Sequence, residues 1–149
     1  MLIVYIDETM FTKTTYHTYN YMTSNTATLV DARDVYVPYV CVIAAVSADV
    51  GVQHYRSYNT PVNSEIFASF VEELSTKLKG RPFCLFMDRA SFHSSPCVKQ
   101  MMTARNVTPI MNVAWNPAYN PIEGCFAIVK NYYKRCRLND MTNGKPTVV

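Results

Sequence analysis

The sequence has 149 residues, of which 49% are hydrophobic and 17% are charged. This length suffices for one sizeable core and is too short for two typical domains, so we expect a single globular domain. The longest apolar stretch, residues 37–48, contains a proline and falls well short of the roughly 20 residues of a membrane-spanning helix. The apolar N-terminus has no preceding basic region and reaches an acid at Asp7, which argues against a secretory signal and favours an intracellular protein.

The charge of the sequence is unevenly distributed. The formal net charge is +3, and it is concentrated at the C-terminus, where five basic residues follow Gly124 against the single acid Asp140. Such a basic segment suggests contact with a polyanion.

The five cysteines are odd in number, lie mostly in apolar runs and show no CxxC spacing. We therefore expect reduced core residues rather than disulfides or a metal knuckle.

The first part of the chain is predicted to be rich in strands. Residues 2–7 are apolar on both alternating faces, as in a central strand covered on both sides, and Asp7 is placed at its C-terminal end. Three further runs rich in Tyr, Thr, Val and Ile follow, at 15–22, 36–47 and 52–57. We predict antiparallel strands, with the last two joined in a hairpin at Gly51.

From Asn63 the hydrophobic period becomes helical. Six apolar residues recur on one face of the predicted helix: Ile66, Phe67, Phe70, Val71, Leu74 and Leu78. Glu65 in the first turn and Gly80 at the end fit the preferences of helix termini. The run FCLFM that follows predicts a buried strand, which ends at Asp88.

A short helix and a strand come next. Ser95 as N-cap and Pro96 in the first helical position open a helix that extends to about Ala104. Residues 107–113 are predicted to form a strand, and Pro109 places that strand near an edge of the sheet.

The last helix opens at Asn120. Its predicted apolar face carries Ile122, Cys125, Phe126, Val129, Tyr133 and Cys136. The order of strands and helices predicts an α/β fold with a mixed sheet.

Two strands with apolar faces each end on an aspartate, Asp7 and Asp88. If the strands are neighbours, both carboxylates project into the crevice beyond the strand ends, where open α/β sheets bind ligands. Two carboxylates there need a cation, and Mg²⁺ commonly uses carboxylates together with substrate phosphates. Glu123, with 34 residues between it and Asp88, supplies a third carboxylate. This set favours phosphoryl transfer.

Each acid also has a purely structural interpretation. The spacing from Asn120 to Glu123 fits a capping box. Asp7 and Asp88 are also typical of turns after strands. Glu8 is expected on the opposite face of the strand from Asp7, and so outside the site.

Three segments resemble the catalytic motifs of DDE transposases of the Tc/mariner and related insertion-sequence group: YIDET at 5–9, FMDRASFHSS at 86–95 and NPAYNPIEGCFAIVK at 116–130. The order of the acids and their spacing match that group. The resemblance implies a ribonuclease-H-like fold with a mixed five-stranded sheet and helices on both faces. It covers a catalytic domain at 1–138, and residues 139–149 are expected to form a C-terminal tail.

The resemblance also implies a metal-dependent DNA endonuclease and strand transferase. Asp7, Asp88 and Glu123 would bind two Mg²⁺ or Mn²⁺ ions, one activating water or a DNA 3′-hydroxyl and the other stabilising the leaving oxygen. The implied partner is DNA, bound without sequence specificity, together with a second copy of the chain or a separate DNA-recognition chain. The implied compartment is the nucleus in a eukaryote and the cytoplasm or nucleoid in a bacterium.

Five residues are expected to support this triad or to contact DNA: Arg89, His93, Asn120, Lys130 and Lys134. Arg89 stands where the family usually has asparagine, and either contacts a phosphate or competes with metal for Asp88. His93 matches the histidine of the family, and is either a loop residue bonded to backbone or a support near substrate.

The two lysines share the helix face of Glu123. They either follow a DNA backbone or are ordinary solvated charges near a helix end.

A rival hypothesis belongs to a different class of protein. Family transposases carry N-terminal helix-turn-helix domains that recognise element ends, whereas this sequence starts at the first catalytic strand. A domesticated, catalytically idle fragment would instead serve as a structural or interaction subunit of a larger assembly. The two hypotheses differ in whether the acids bind a divalent ion.

Overall fold

The computed structural model describes residues 1–12, 39–114 and 116–142. Within these ranges the strands are β1 (Leu2–Thr12), β2 (Tyr39–Ser47), β3 (Gly51–Tyr58), β4 (Phe83–Met87) and β5 (Val107–Met111). The α-helices are α1 (Ser64–Lys77), α2 (Pro96–Ala104) and α3 (Ile122–Thr142). The strands form one sheet in the order β3-β2-β1-β4-β5. The strand predicted at 15–22 lies outside the described residues.

The central strand β1 is paired unequally on its two sides. Its antiparallel pairing with β2 continues to Thr12, whereas its parallel pairing with β4 covers only Leu2 to Tyr5. The prediction that the strand ends at Asp7 is therefore wrong, because β2 holds the backbone extended beyond that residue. On the β4 side, however, no strand among the described residues pairs with β1 from Ile6 onward, which leaves an open edge. Continuing the β1–β4 register by two residues would place Asp7 opposite Asp88.

The outer strands follow the sequence prediction. β2 and β3 pair as an antiparallel hairpin, and Gly51 adopts φ +80°, a conformation that favours glycine at this turn. β5 pairs only with β4, in parallel, so Pro109 lies on an edge strand as expected.

One face of the sheet packs against α1 and α2. The Asn63 side chain caps α1 by accepting a hydrogen bond from the Ile66 amide at 2.9 Å. Buried residues of this core cluster come from both layers: Val4, Ile6, Ile43, Ala45, Phe67, Phe70, Val71, Leu74, Phe83, Leu85, Met87, Val98, Met102 and Val107. The predicted apolar face of α1 is thereby confirmed.

The opposite face of the sheet packs against α3. Ile122 and Phe126 contact Ala44 and Val46, with Tyr5 against the same cluster. The mixed five-stranded sheet with helices on both faces is thus confirmed. The side chains of β1 alternate between the two faces of the sheet: Val4 and Ile6 face α1 and α2, whereas Tyr5 faces α3.

Several local predictions need correction. Ser95 occupies the N-cap position of α2 but its side chain makes no capping bond, because its hydroxyl contacts the Cys97 thiol at 3.3 Å instead. Val129 is 49% exposed and so lies outside the buried face of α3, although Tyr133 further along the helix packs against Phe11 of β1 with ring centroids 5.4 Å apart. α3 continues to Thr142, across the predicted start of the tail.

All five cysteines are free, but only two of them belong to the core as predicted. Cys41 and Cys84 are buried, whereas Cys125 and Cys136 are half-buried and Cys97 is exposed in the first turn of α2. No helix in the part of the chain that the structure describes is long and apolar enough to cross a membrane.

We expect Leu74→Ala to lower the free energy of unfolding by about 2–5 kcal/mol, because it leaves a cavity beneath α1. Ile128 is 72% exposed on α3, so Ile128→Ala is the matched control and should change stability by about 0.5 kcal/mol or less. Urea unfolding followed by circular dichroism measures both. Equal losses in the two variants would contradict the packing described for α1.

Candidate active site

A cavity of about 500 Å³ lies where β1 extends beyond the end of β4. Its lining comes from β1, the segments after β4 and β5, and the start of α3: Asp7, Glu8, Asp88, Arg89, Ala90, Asn112, Val113, Ala114, Asn116, Asn120 and Glu123. The three acids predicted from the sequence therefore border one cavity, although they are far apart in the chain.

Each of the three acids is positioned by a different element. Asp7 lies on β1 and, by alternation with Tyr5, on the α3 side of the sheet. Asp88 is the first residue after β4. Glu123 is the second residue of α3. The site is thus assembled from tertiary packing rather than from one local motif.

Asn120 attaches the start of α3 to β1. Its side chain is buried, and its Nδ2 donates to the Ile6 carbonyl at 3.2 Å, at the open edge of the strand. The capping-box interpretation of Glu123 is wrong, because Asn120 Oδ1 accepts only a long 3.5 Å bond, from the Ile122 amide. Among the described residues, the Glu123 carboxylate has no hydrogen-bond partner, so it is available to the cavity.

The electrostatics of the cavity are unfavourable for an ionised Asp7. Burial, together with the charges of Glu8, Asp88 and Glu123, raises the pKa of Asp7 to about 7, against the opposing effect of the hydrogen bond from the Glu8 amide. That amide donates to Asp7 Oδ1 at 2.8 Å. The carboxylates thus interact through their charges. Across residues 1–12, 39–114 and 116–142, however, no three acidic, His or Cys side chains are close enough to form a metal cluster.

His93 contacts both Asp88 and Glu8. It lies in a short 3₁₀ helix at Ser91–Ser94, with Nδ1 2.9 Å from Asp88 Oδ1 and 3.2 Å from the Asp88 carbonyl. Its Nε2 lies 3.1 Å from Glu8 Oε1. Burial alone would lower the pKa of His93, but the hydrogen bond and charge of Glu8, together with Asp88, raise it above the ordinary value. The histidine therefore combines the two alternatives, since it binds backbone and also contacts a site carboxylate.

Glu8 is a residue that the sequence reasoning wrongly excluded. It does lie on the opposite face of β1 from Asp7, the face of Val4 and Ile6. Because the edge of β1 is open there, both faces reach the cavity, and Glu8 lines it beside Asp7. The adjacency of Asp7 and Glu8 in the sequence is the signal that could have identified Glu8.

Arg89 and Asn112 close another side of the cavity. Arg89 Nε donates to the backbone carbonyl of Asn112 at 3.0 Å. The backbone N–H of Asn112 in turn donates to the backbone carbonyl of Met87 at 2.8 Å. Within the described ranges Arg89 forms no ion pair with an acid, so it does not compete for Asp88. Asn112 was missed because the strand was predicted to continue to residue 113. The observed β5 ends at Met111, so Asn112 directly follows its strand, as Asp88 directly follows β4.

The two lysines predicted to contact DNA lie outside the cavity lining. Lys130 and Lys134 follow Glu123 by 7 and 11 residues on α3, which puts them on its side of the helix about 10 and 16 Å further along the axis. They extend away from the site rather than into it.

The sheet order, the helices on both faces and the acids at the strand ends define a ribonuclease-H-like fold. The chain belongs to the DDE superfamily endonuclease family, whose profile matches residues 2–142. This family agrees with the DDE resemblance of the three sequence motifs. Comparison with curated protein sequences gives no match.

Solved structures agree with this fold. The Mos1 transposase paired-end complex with left transposon end has a TM-score of 0.66 at 17% identity, over 87% of this chain and 41% of that one. The simian T-cell lymphotropic virus intasome in complex with PP2A regulatory subunit B56 gamma has 0.65 at 18%, over 98% and 43%. The catalytic domain of Mos1 mariner transposase has 0.62 at 14%, over 87% and 60%.

This chain spans about two fifths of the length of the larger chains it matches. At these identities the likeness establishes the fold. Other matching Mos1 structures are described as determined with Mn or with Mg.

We expect Asp7→Asn to stabilise the metal-free protein above pH 7. Between pH of about 4 and about 7 the folded protein holds a proton on Asp7 that the unfolded chain has released, so stability falls as pH rises through that window. The amide removes this penalty, which should raise the free energy of unfolding by about 1–2 kcal/mol at pH 8 once solvent screening is allowed for, with little effect at pH 4.5.

Urea unfolding at the two pH values measures this difference. Asp49→Asn is the matched control, since Asp49 is exposed in the β2–β3 turn and a hydrogen bond from Ser47 lowers its pKa. A gain at pH 8 that is equal in both variants would contradict the burial of Asp7.

Proposed function

We propose that this domain is the catalytic part of a metal-dependent DNA endonuclease and strand transferase, with Asp7, Asp88 and Glu123 as its acidic triad. One observation carries the proposal: acids from β1, from the end of β4 and from α3 border a single cavity. Membership of the DDE endonuclease family supports the reaction class. The matching complexes with transposon ends support DNA as the partner.

The chemistry of the donors fits a divalent cation. All three groups offer carboxylate oxygens, the ligands that Mg²⁺ and Mn²⁺ prefer. Burial and the charges of the neighbouring acids raise the pKa of Asp7, and a bound cation would oppose that effect by stabilising the ionised carboxylate. When bound, one or two such ions supply Lewis acidity to the nucleophile and to the leaving oxygen of a phosphodiester.

The protein residues hold the acids and admit the substrate. Asp88 Oδ1 accepts a hydrogen bond from the Ala90 amide at 3.0 Å and lies 2.9 Å from His93 Nδ1, which leaves Oδ2 for a ligand. Asn120 fixes the start of α3, and hence Glu123, against β1. Arg89 is the cation of the cavity lining, and its guanidinium is suited to a DNA phosphate.

DNA is proposed to leave the cavity along α3. Lys130 and Lys134 continue the line of Glu123, and regularly spaced lysines contact phosphates without reading sequence. Recognition of a particular element end would then need a second chain or a further domain. The nucleus or nucleoid is the corresponding compartment.

Asp88→Asn and Glu123→Gln should each abolish Mn²⁺ binding and lower DNA cleavage by about a thousandfold or more, because removing a metal ligand forfeits several kcal/mol of charge stabilisation. Calorimetry with Mn²⁺ and nicking of supercoiled plasmid measure the two effects. Glu65→Gln is the matched control, an exposed acid on α1 that does not line the cavity.

Cleavage retained in either triad variant would contradict the proposed roles. Wild-type protein that binds no Mn²⁺ at millimolar concentration would instead favour the idle structural subunit.

Replacing Lys130 and Lys134 together with glutamine should weaken binding to a short DNA duplex and lower the slope of log affinity against log salt by about 1–2, one unit for each lost phosphate contact. Fluorescence anisotropy across a KCl series measures the slope. The matched pair Lys77→Gln and Lys99→Gln changes exposed lysines on α1 and α2, on the other side of the sheet. Equal changes of slope in both double variants would contradict a path along α3.

A further inference from the structure

We propose that Glu8 and His93 are positioning residues that hold the Asp88 carboxylate in the orientation in which it binds metal. This inference rests on the proposed function and deepens it, because it assigns roles to two groups outside the triad. It is carried by a continuous chain of contacts from Glu8 through the imidazole to Asp88.

Asp88 needs such support because of its location. It follows the end of β4, and its side chain is 51% exposed. An aspartate in this setting rotates among several rotamers unless neighbouring donors fix it. Two groups lie at the same oxygen: the Ala90 amide donates to Oδ1 at 3.0 Å, and His93 Nδ1, whose hydrogen bond goes to the Asp88 carbonyl, lies 2.9 Å from Oδ1 as an ion-pair contact. Among the described residues Oδ2 has no partner, so the contacts select one oxygen for the cavity.

His93 can fix Asp88 only if its own ring is fixed. The ring is buried at 1% exposure and packs against Phe67 and Phe92, with ring centroids 4.3 and 4.4 Å away. Packing alone would still permit a ring flip, which exchanges nitrogen and carbon positions. The contact of Nε2 with Glu8 Oε1 at 3.1 Å opposes that flip, because the flipped ring would bury an unpaired nitrogen.

Glu8 is better placed for this role than for direct metal binding. Its side chain is only 18% exposed, and its Oε1 contacts His93. It also belongs to the opposite face of β1 from Asp7. A positioning role requires a hydrogen-bond acceptor at Oε1, whereas a metal ligand requires the negative charge. Glutamine keeps the first and removes the second, so the two roles are separable.

The experiment compares Glu8→Ala, Glu8→Gln and Glu8→Asp with wild-type protein and with Glu65→Ala as control. Calorimetry gives the Mn²⁺ dissociation constant without DNA, anisotropy gives DNA affinity, and cleavage over a Mn²⁺ series gives the half-saturating concentration and the maximal rate. Melting temperatures identify any variant that fails to fold.

We expect Glu8→Ala to raise the Mn²⁺ dissociation constant about 10–100-fold, the usual effect of losing a partner of a metal ligand. DNA affinity should not change, and saturating Mn²⁺ should restore most of the cleavage rate. Glu8→Gln should remain within about threefold of wild type. Glu8→Asp keeps the charge but is too short for His93, so it should resemble Glu8→Ala and serves in its place if the alanine variant does not fold.

Three results would overturn the inference. Unchanged Mn²⁺ affinity in Glu8→Ala removes the positioning role and leaves the proposed function intact. Losses in Glu8→Gln as large as those in Glu8→Ala would make Glu8 a direct metal ligand. A wild-type protein that neither binds Mn²⁺ nor cleaves DNA overturns the proposed function, and this inference with it.

Discussion

The unequal pairing of β1 is the constraint on which the candidate site depends. β2 supports the strand as far as Thr12, whereas β4 leaves it after Tyr5. The backbone therefore stays extended while one edge becomes free, and a cavity opens at that edge. Asp88 leaves β4 at the same level, and Asn120 binds the free Ile6 carbonyl to bring α3 alongside. The unequal extent of pairing on the two sides of β1 thus brings side chains from three elements together.

The same arrangement has an electrostatic consequence. A carboxylate that is partly buried beside three other acids resists ionisation, which is why the pKa of Asp7 reaches about 7. Groups of this kind oppose folding and are characteristic of functional sites. The stability needed to hold them comes from the core between the sheet and α1, where Phe67, Phe70 and Leu74 are completely buried. Phe67 of that core also contacts the ring of His93, so this one side chain belongs to the core and also supports the candidate site.

Much of this fold is encoded in local patterns. The helical period of apolar residues predicted α1, and the continuous apolar run FCLFM predicted β4. Gly51 placed the β2–β3 turn, and its positive φ agrees with that position. The acids of the proposed triad were selected because ligands bind beyond the strand ends in α/β folds. Glu8 was missed because alternation assigns each strand residue to one face and does not anticipate an open edge. The failed capping box has a related cause, since the buried Asn120 side chain is engaged by β1, a partner distant in sequence.

Fold and family membership leave the activity to be decided by the site itself. The acids around the cavity repel one another when they ionise, which contributes to the raised pKa of Asp7, and compensating positive charge would relieve this repulsion. Arg89 adds a positive charge to the cavity wall, but among the described residues it forms no ion pair with these acids, and its Nε donates to the Asn112 carbonyl instead. His93 provides part of the compensating charge, but on the Glu8 and Asp88 side of β1 and away from the α3 face that carries Asp7. The uncompensated charge therefore lies between Asp7, Asp88 and Glu123, which is where a divalent ion and the phosphate it carries would be held.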